Sequence, residues 1–169
     1  MATLEQTPTD IAAATTARYR KTAEAGDIDG LLATLSPDVV FHSPITERAV
    51  FRGHDEMREL LEAVFDTFTD IRYFLDIGDD RTRSLAFRAL VGRQPVEESV
   101  RIELDDQGRI TDLTAYFRPL PALTAIAATL APKLIARRRG RLVGGIVRAA
   151  MLPLAVITRL ADRLVPHLI

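Results

Sequence analysis

The apolar period of this chain changes abruptly near residue 70, and that change limits the folds open to it. Before it, in "DEMRELLEAVFDTF", Met57, Leu60, Leu61, Val64, Phe65 and Phe68 recur at helical spacing. Beyond it the period is two. Ile71, Tyr73, Leu75 and Ile77 share one face, with Arg72 and Asp76 on the other. Leu85, Phe87, Ala89 and Val91 oppose Arg88, and Val100, Ile102 and Leu104 oppose Arg101 and Glu103. After the turn sequence "DDQG", Leu113, Ala115 and Phe117 alternate again. Such runs predict antiparallel strands with one wet face. Helices first and a meander afterwards predict an α+β fold, a curved sheet wrapped around helices.

The N-terminal half supplies those helices. "TDIAAATTARYRKTAEAG" reads as a helix capped by Thr9 or Asp10 and ended by Gly26. "DIDGLLATLSPD" reads as a short second helix, capped by Asp27 and stopped by Pro37. "VVFHSP" is a strand, and a third helix begins at Asp55. The 169 residues are 47% hydrophobic and 27% charged, enough apolar material for a packed core. The absence of cysteine excludes disulfides, thiolate nucleophiles and cysteine-ligated zinc, and fits a reducing compartment. His42, His54 and His167 lack metal-ligand spacing. No phosphate loop, nucleophile elbow or dinucleotide fingerprint is present. No metal, cofactor or nucleic-acid partner is therefore expected. "MATLEQTPTD" lacks the basic start and apolar run of a secretion signal, so the expected location is cytoplasmic.

The order helix, helix, strand, helix, meander resembles the nuclear transport factor 2-like superfamily, which includes SnoaL-like polyketide cyclases, ketosteroid isomerases and limonene epoxide hydrolases. The residues that carry the resemblance are "RYRKTAEAGDIDGLLATLSPDVVFHSP", "GHDEMRELL" and "ELDDQGRITDLTAYFRP", within about residues 10–118. The resemblance implies a cone-shaped curved antiparallel sheet around the N-terminal helices, enclosing an apolar cavity open at one end. It also implies a homodimer formed through the sheet. In the ketosteroid isomerase pattern a tyrosine on the first helix and a protonated aspartic acid hold an enolate oxygen, while an aspartate moves the proton. Tyr19 falls at the tyrosine position, but Ser43 stands at the proton-moving position and Val100 at the oxyanion acid. A serine without an adjacent base does not accept a proton near neutral pH. The expectation is a protein that is not a steroid isomerase.

Several side chains remain candidates. Ser43 is in phase with Val39 and Phe41, so its hydroxyl either bonds a ligand oxygen in the cavity or a backbone group at the strand end. Tyr19 either donates to a ligand carbonyl or meets another protein group. Tyr73 is a second polar point in an apolar wall or a packed core residue. Phe41, Phe87, Val100 and Phe117 are the expected apolar lining. Glu98, in phase with Val100, would aim a carboxyl inward and act as acid or base, unless the strand begins after it. His42 alternates to the opposite face and reaches the rim only if the strand twists. Three functions stay open, the least favoured being an interaction domain whose cone is filled by side chains and whose tail docks a partner. Of the remaining two, one is a module that binds a small hydrophobic molecule, with Tyr19 and Ser43 orienting its polar end. The other is an isomerase, cyclase or hydrolase acting on a polyketide, terpenoid or steroid-like substrate, with Tyr19 as electrophile and Glu98 or His42 as the acid–base group.

A boundary falls at residue 118. Residues 1–118 form the acidic cone domain, and residues 119–169 form a basic, apolar helical extension in which Asp162 is the lone carboxylate side chain. From Arg137 onward, Arg141, Gly144, Gly145, Arg148, Ala155, Arg159, Asp162 and Arg163 share one side of a helical wheel. Leu142, Val143, Ile146, Val147, Met151, Leu154, Val156, Ile157, Leu160, Leu164 and Val165 cover most of the rest. A spanning helix needs roughly 20 apolar residues. Arg148 interrupts this run, so the readings are a helix lying on a membrane surface and helices packed over the cone mouth or against a second subunit.

Overall fold

The structure, a computed structural model, describes residues 7–164. Val165 and His167 lie outside the described residues. Helix α1 (Pro8–Ala25) is capped by Thr7, earlier than the sequence suggests. Pro8 fills the first helical position, where a missing N–H costs nothing. Asp10 returns a bond to the Thr7 backbone and completes a capping box. Gly26 ends the helix at φ 68°, where a side chain would be strained. Helix α2 (Ile28–Leu32) follows, capped by Asp27 through the Gly30 amide at 2.9 Å.

Strand β1 (Leu35–His42) starts before the expected stop at Pro37, because that proline falls in an irregular stretch of β1 between Leu35 and Val40. Strand β2 (Val50–Arg52) was not apparent in the sequence. Helix α3 (Gly53–Phe65) stops short of Phe68, which opens β3 (Phe68–Gly78). Strands β4 (Thr82–Val91), β5 (Gln94–Leu104) and β6 (Ile110–Arg118) complete the meander. The six-stranded sheet runs β2-β1-β6-β5-β4-β3, unclosed, with β1 parallel to β6 and every other pair antiparallel.

Two bulges bend β3. The register with β4 slips between Thr69 and Arg72 and again between Tyr73 and Leu75. The second slip reverses the alternation expected for this strand. Ile77, expected inside, is 56% exposed, while Asp76, expected on the wet face, turns inward. There the carboxylate accepts from Arg83 Nη2 at 2.8 Å and from Thr16 Oγ1 at 2.9 Å, tying the sheet edge to α1.

Two apolar clusters form the core. The first joins α1, α2 and α3 to β1, β5 and β6 through Leu31, Met57, Ile102, Ile110 and Leu113. The second places Ala122, Ile126 and Leu130 of helix α4 (Leu120–Arg139) on Phe68, Phe87 and Val96 of the sheet. Ala122 and Ile126 are fully buried, so α4 is part of the cone wall. Its basic end is pinned to α3: Arg137 donates to Glu62 at 3.0 Å and Arg138 to Glu59 at 3.1 Å. Helix α5 (Arg141–Leu164) continues through Pro153 and packs back along α4. Their contact is close at Gly144, where a Cβ would stand 2.7 Å from both Ala136 Cβ and the Pro132 carbonyl oxygen.

Candidate functional site

The cavity between sheet and helices has a volume of about 360 Å3. Its walls are built from three sources. The sheet contributes Phe41, Phe51, Phe68, Ile71, Phe87 and Phe117, and α3 contributes Met57, Leu60, Leu61 and Val64. The third wall is α4, through Ile126, Leu130, Leu134 and Ile135. Lining residues that are exposed, Ile45, Thr46 and Arg139, mark the mouth. Arg138 crosses it, with its guanidinium 5.4 Å from the Phe51 ring centre.

Against these apolar walls stand Tyr19, Tyr73 and Glu98. Tyr19 points inward because Ala12, Thr16, Tyr19 and Ala23 form the buried stripe of α1, at three- and four-residue spacing. Tyr73 meets it edge to face, with ring centres 6.4 Å apart, and packs against Phe87 at 5.2 Å. Glu98 is inward because β5 begins at Gln94 and keeps strict alternation through Val96, Glu98 and Val100. The alternative, a strand that starts after Glu98, is therefore corrected. Its cross-strand neighbours are Phe87 and Phe117, so the carboxyl sits between two phenyl rings. Burial pushes its pKa up to about 8, from an ordinary 4.5. The acid is mostly protonated at neutral pH and has no hydrogen-bond partner among the described residues. Burial also pushes both phenols above the ordinary tyrosine range, and the Glu98 carboxylate adds to this. All three groups are thus neutral hydroxyl donors around pH 7.

The other expected residues divide. Phe41, Phe87 and Phe117 line the cavity, as does Ser43. Ser43 Oγ accepts from the Ile45 amide at 3.2 Å, the strand-end bond that was the alternative to a ligand contact. Val100 is a correction: it is 2% exposed in the first apolar cluster and is not a lining residue. His42 is another. Its Nε2 lies 2.8 Å from Asp112 Oδ2, and it does not line the cavity. The apolar run "LPALTAIAATLA" left packing over the cone mouth as one of several readings of the tail, and α4 takes that place as a wall of the cavity, with lining residues the sequence did not single out. Among the described residues no cluster of His, Asp or Glu has the arrangement of a metal site.

A curved, unclosed sheet with helices around an apolar cavity and a few buried donors is the arrangement of an α+β cone fold. The chain belongs to the SnoaL-like domain family, whose model matches residues 16–113. It is 31% identical to a steroid delta-isomerase from Pseudomonas aeruginosa, covering 79% of this chain and 95% of that one, with a TM-score of 0.65. A protein with a cystatin-like fold from Silicibacter pomeroyi DSS-3 is 28% identical, over 73% of this chain and 84% of that one, also at 0.65. An epoxide hydrolase/cyclase-like enzyme of pyran ring formation in the polyether salinomycin shares the fold, at 16% identity and a TM-score of 0.54, over 63% of this chain and 90% of that one. No curated protein matches the chain.

Proposed function

We propose that the cavity binds a small, mostly apolar ring compound through one oxygen atom, which accepts hydrogen bonds from Glu98 and Tyr19 at the buried end. The observation that carries this reading is the carboxyl of Glu98, turned into an apolar space between Phe87 and Phe117 without a partner among the described residues. An isolated polar group of that kind is costly to bury unless a ligand satisfies it. The volume falls within the range of small-molecule pockets, roughly 300–1,000 Å3. Similarity to a protein called a steroid delta-isomerase supports a ring-bearing ligand. Glu98 lies two positions along β5 from Val100, on the same inward face. It restores an acid to the strand from which the ketosteroid isomerase pattern has lost one.

Calorimetry with a naphthyl methyl ketone tests this, with methylnaphthalene as the apolar control. The ketone binds more tightly than the hydrocarbon, and Tyr19→Phe weakens it roughly three- to tenfold, the value of one hydrogen bond. Affinity falls as the pH rises through about 8, because a carboxylate no longer donates. Glu98→Gln, which keeps an N–H donor, removes that pH dependence. Equal affinity for ketone and hydrocarbon in every variant would sink the reading.

A second reading rests on Glu98 and Tyr19 lying near enough for the carboxylate to raise the pKa of the phenol. In an isomerase the ionised Glu98 takes a proton from the carbon beside a ring carbonyl. Tyr19 donates to the enolate oxygen, and Glu98 returns the proton at the far end of the shifted double bond. Such turnover of a β,γ-unsaturated ring ketone, followed by ultraviolet absorbance, rises with pH to a plateau above about 8 and vanishes in Glu98→Gln. A rate unchanged in Glu98→Gln rules this reading out and leaves the binding reading standing.

A further inference from the structure

Helix α5 carries an apolar surface that no other part of the described residues covers. Only Gly144 and Ala155 are buried, with Val147, Met151 and Thr158 half-buried on the same stripe. Thr158 shares a 2.7 Å hydroxyl contact with Thr124 of α4. On a helix of 100° per residue, Leu142, Ile146, Ile157, Leu160 and Leu164 fall on the opposite side. They are exposed, Leu142 at 80% and Ile146 and Ile157 at 61%. The sequence suggested that the small and charged residues of this helix oppose its apolar ones. The structure shows that the small ones, Gly144 and Ala155, face α4, so the apolar side looks outward.

Arg141, Arg148, Arg159 and Arg163 lie along one edge, between the packed stripe and the apolar face. Among the described residues none of them has a carboxylate within ion-pairing distance; Arg159 bonds only Gln94 Oε1, at 3.3 Å. Their counterparts on α4, Arg137 and Arg138, each pair with two carboxylates of the α3 region. With Asp162 the lone carboxylate side chain of α5, its four arginines leave a net positive edge beside the apolar face, the pattern that matches an anionic lipid surface.

We propose that α5 docks the protein on the surface of an anionic bilayer, with Leu142, Ile146, Ile157 and Leu160 in the acyl boundary and the arginine edge on lipid phosphates. By length and composition α4 and α5 each suffice to cross a membrane. The contacts to α4 are spread from Gly144 to Thr158, so a spanning α5 would have to abandon its partner helix, whereas a surface-lying one keeps it. The helix starts at Arg141, two residues after the mouth residue Arg139, so docking brings the cavity entrance beside the lipid. This inference stands independently of what the cavity binds.

The test is sedimentation of the full chain with vesicles, since α4 is a cavity wall and cannot be cut away. Vesicles of phosphatidylcholine alone are compared with vesicles containing phosphatidylserine, at low and high salt. Binding is expected on the anionic vesicles, and high salt weakens it. Replacing the four arginines by Gln costs roughly fivefold for each charge. The pair Ile146→Asp and Ile157→Asp abolishes binding with the circular dichroism spectrum unchanged. Equal binding to neutral vesicles overturns the proposal. So does a failure to sediment, including one accompanied by a concentration-dependent dimer in ultracentrifugation that the Asp pair dissolves, which would make a second copy the occupant.

Discussion

At the residue scale, Glu98 and Asp76 show how one carboxyl is left unpaired and another is neutralised. Glu98 binds its proton more tightly in the folded protein than in the unfolded chain. Stability linked to it is therefore fully present below about 4.5 and is lost as the pH rises towards and through about 8. The limiting slope for one proton is about 1.4 kcal/mol per pH unit, and solvent reaching the carboxyl through the open cavity shortens the pH range over which it acts. Urea melts between pH 5 and 9 should show a decline in the wild type that Glu98→Gln removes. Asp76 is different, since Arg83, 8% exposed, depends on it for charge compensation. Asp76→Ala should cost about 3–5 kcal/mol by stranding that guanidinium, read as a shift of the denaturation midpoint. Of these two residues only Glu98 was legible in the sequence, because β5 keeps its alternation throughout. Asp76 was misplaced because one extra residue in β3 flips every side chain after it, and a bulge leaves no residue-type signature at Phe74.

Helices and strands divide along similar lines. The meander strands and α3 were readable because a half-buried element imprints its period on the sequence. Strand β2 was not, since three residues are too few to show a period. The α4 wall was hidden for a different reason. Apolar in composition, it could have faced lipid, a second subunit or its own domain, and only the tertiary pairing of Ile126 with Phe87 and its neighbours decides. The α4–α5 contact itself depends on a missing side chain at Gly144, 2.7 Å from the atoms a Cβ would meet. Gly144→Leu should therefore separate the two helices. The expected cost is about 1–3 kcal/mol for overpacking. Hydrogen exchange should quicken over residues 141–164 and stay unchanged in β4–β6.

For the molecule as a whole, the boundary after Arg118 in the sequence coincides with the end of β6, but the cavity is closed by α4, on the far side of that boundary. A chain ending at Arg118 leaves Phe68, Phe87 and Phe117 without the cover of α4. It should bind a hydrophobic dye, lose its cooperative melt and fail to hold the naphthyl ketone. A truncated form that melts sharply and still holds the ketone would show that the sheet and α1–α3 suffice.

The stretch shared with the family ends at residue 113, while one whole side of the cup lies in α4, beyond it. The third wall of this cavity, built from Ile126, Leu130, Leu134 and Ile135, thus lies outside the residues that the family model matches. Exchanging residues 119–139 between two members should transplant preference for guest size and shape without touching the proton-bearing floor. Such an exchange would separate the part of the pocket that sets its shape, on α4, from the part that holds its donors, on α1 and β5.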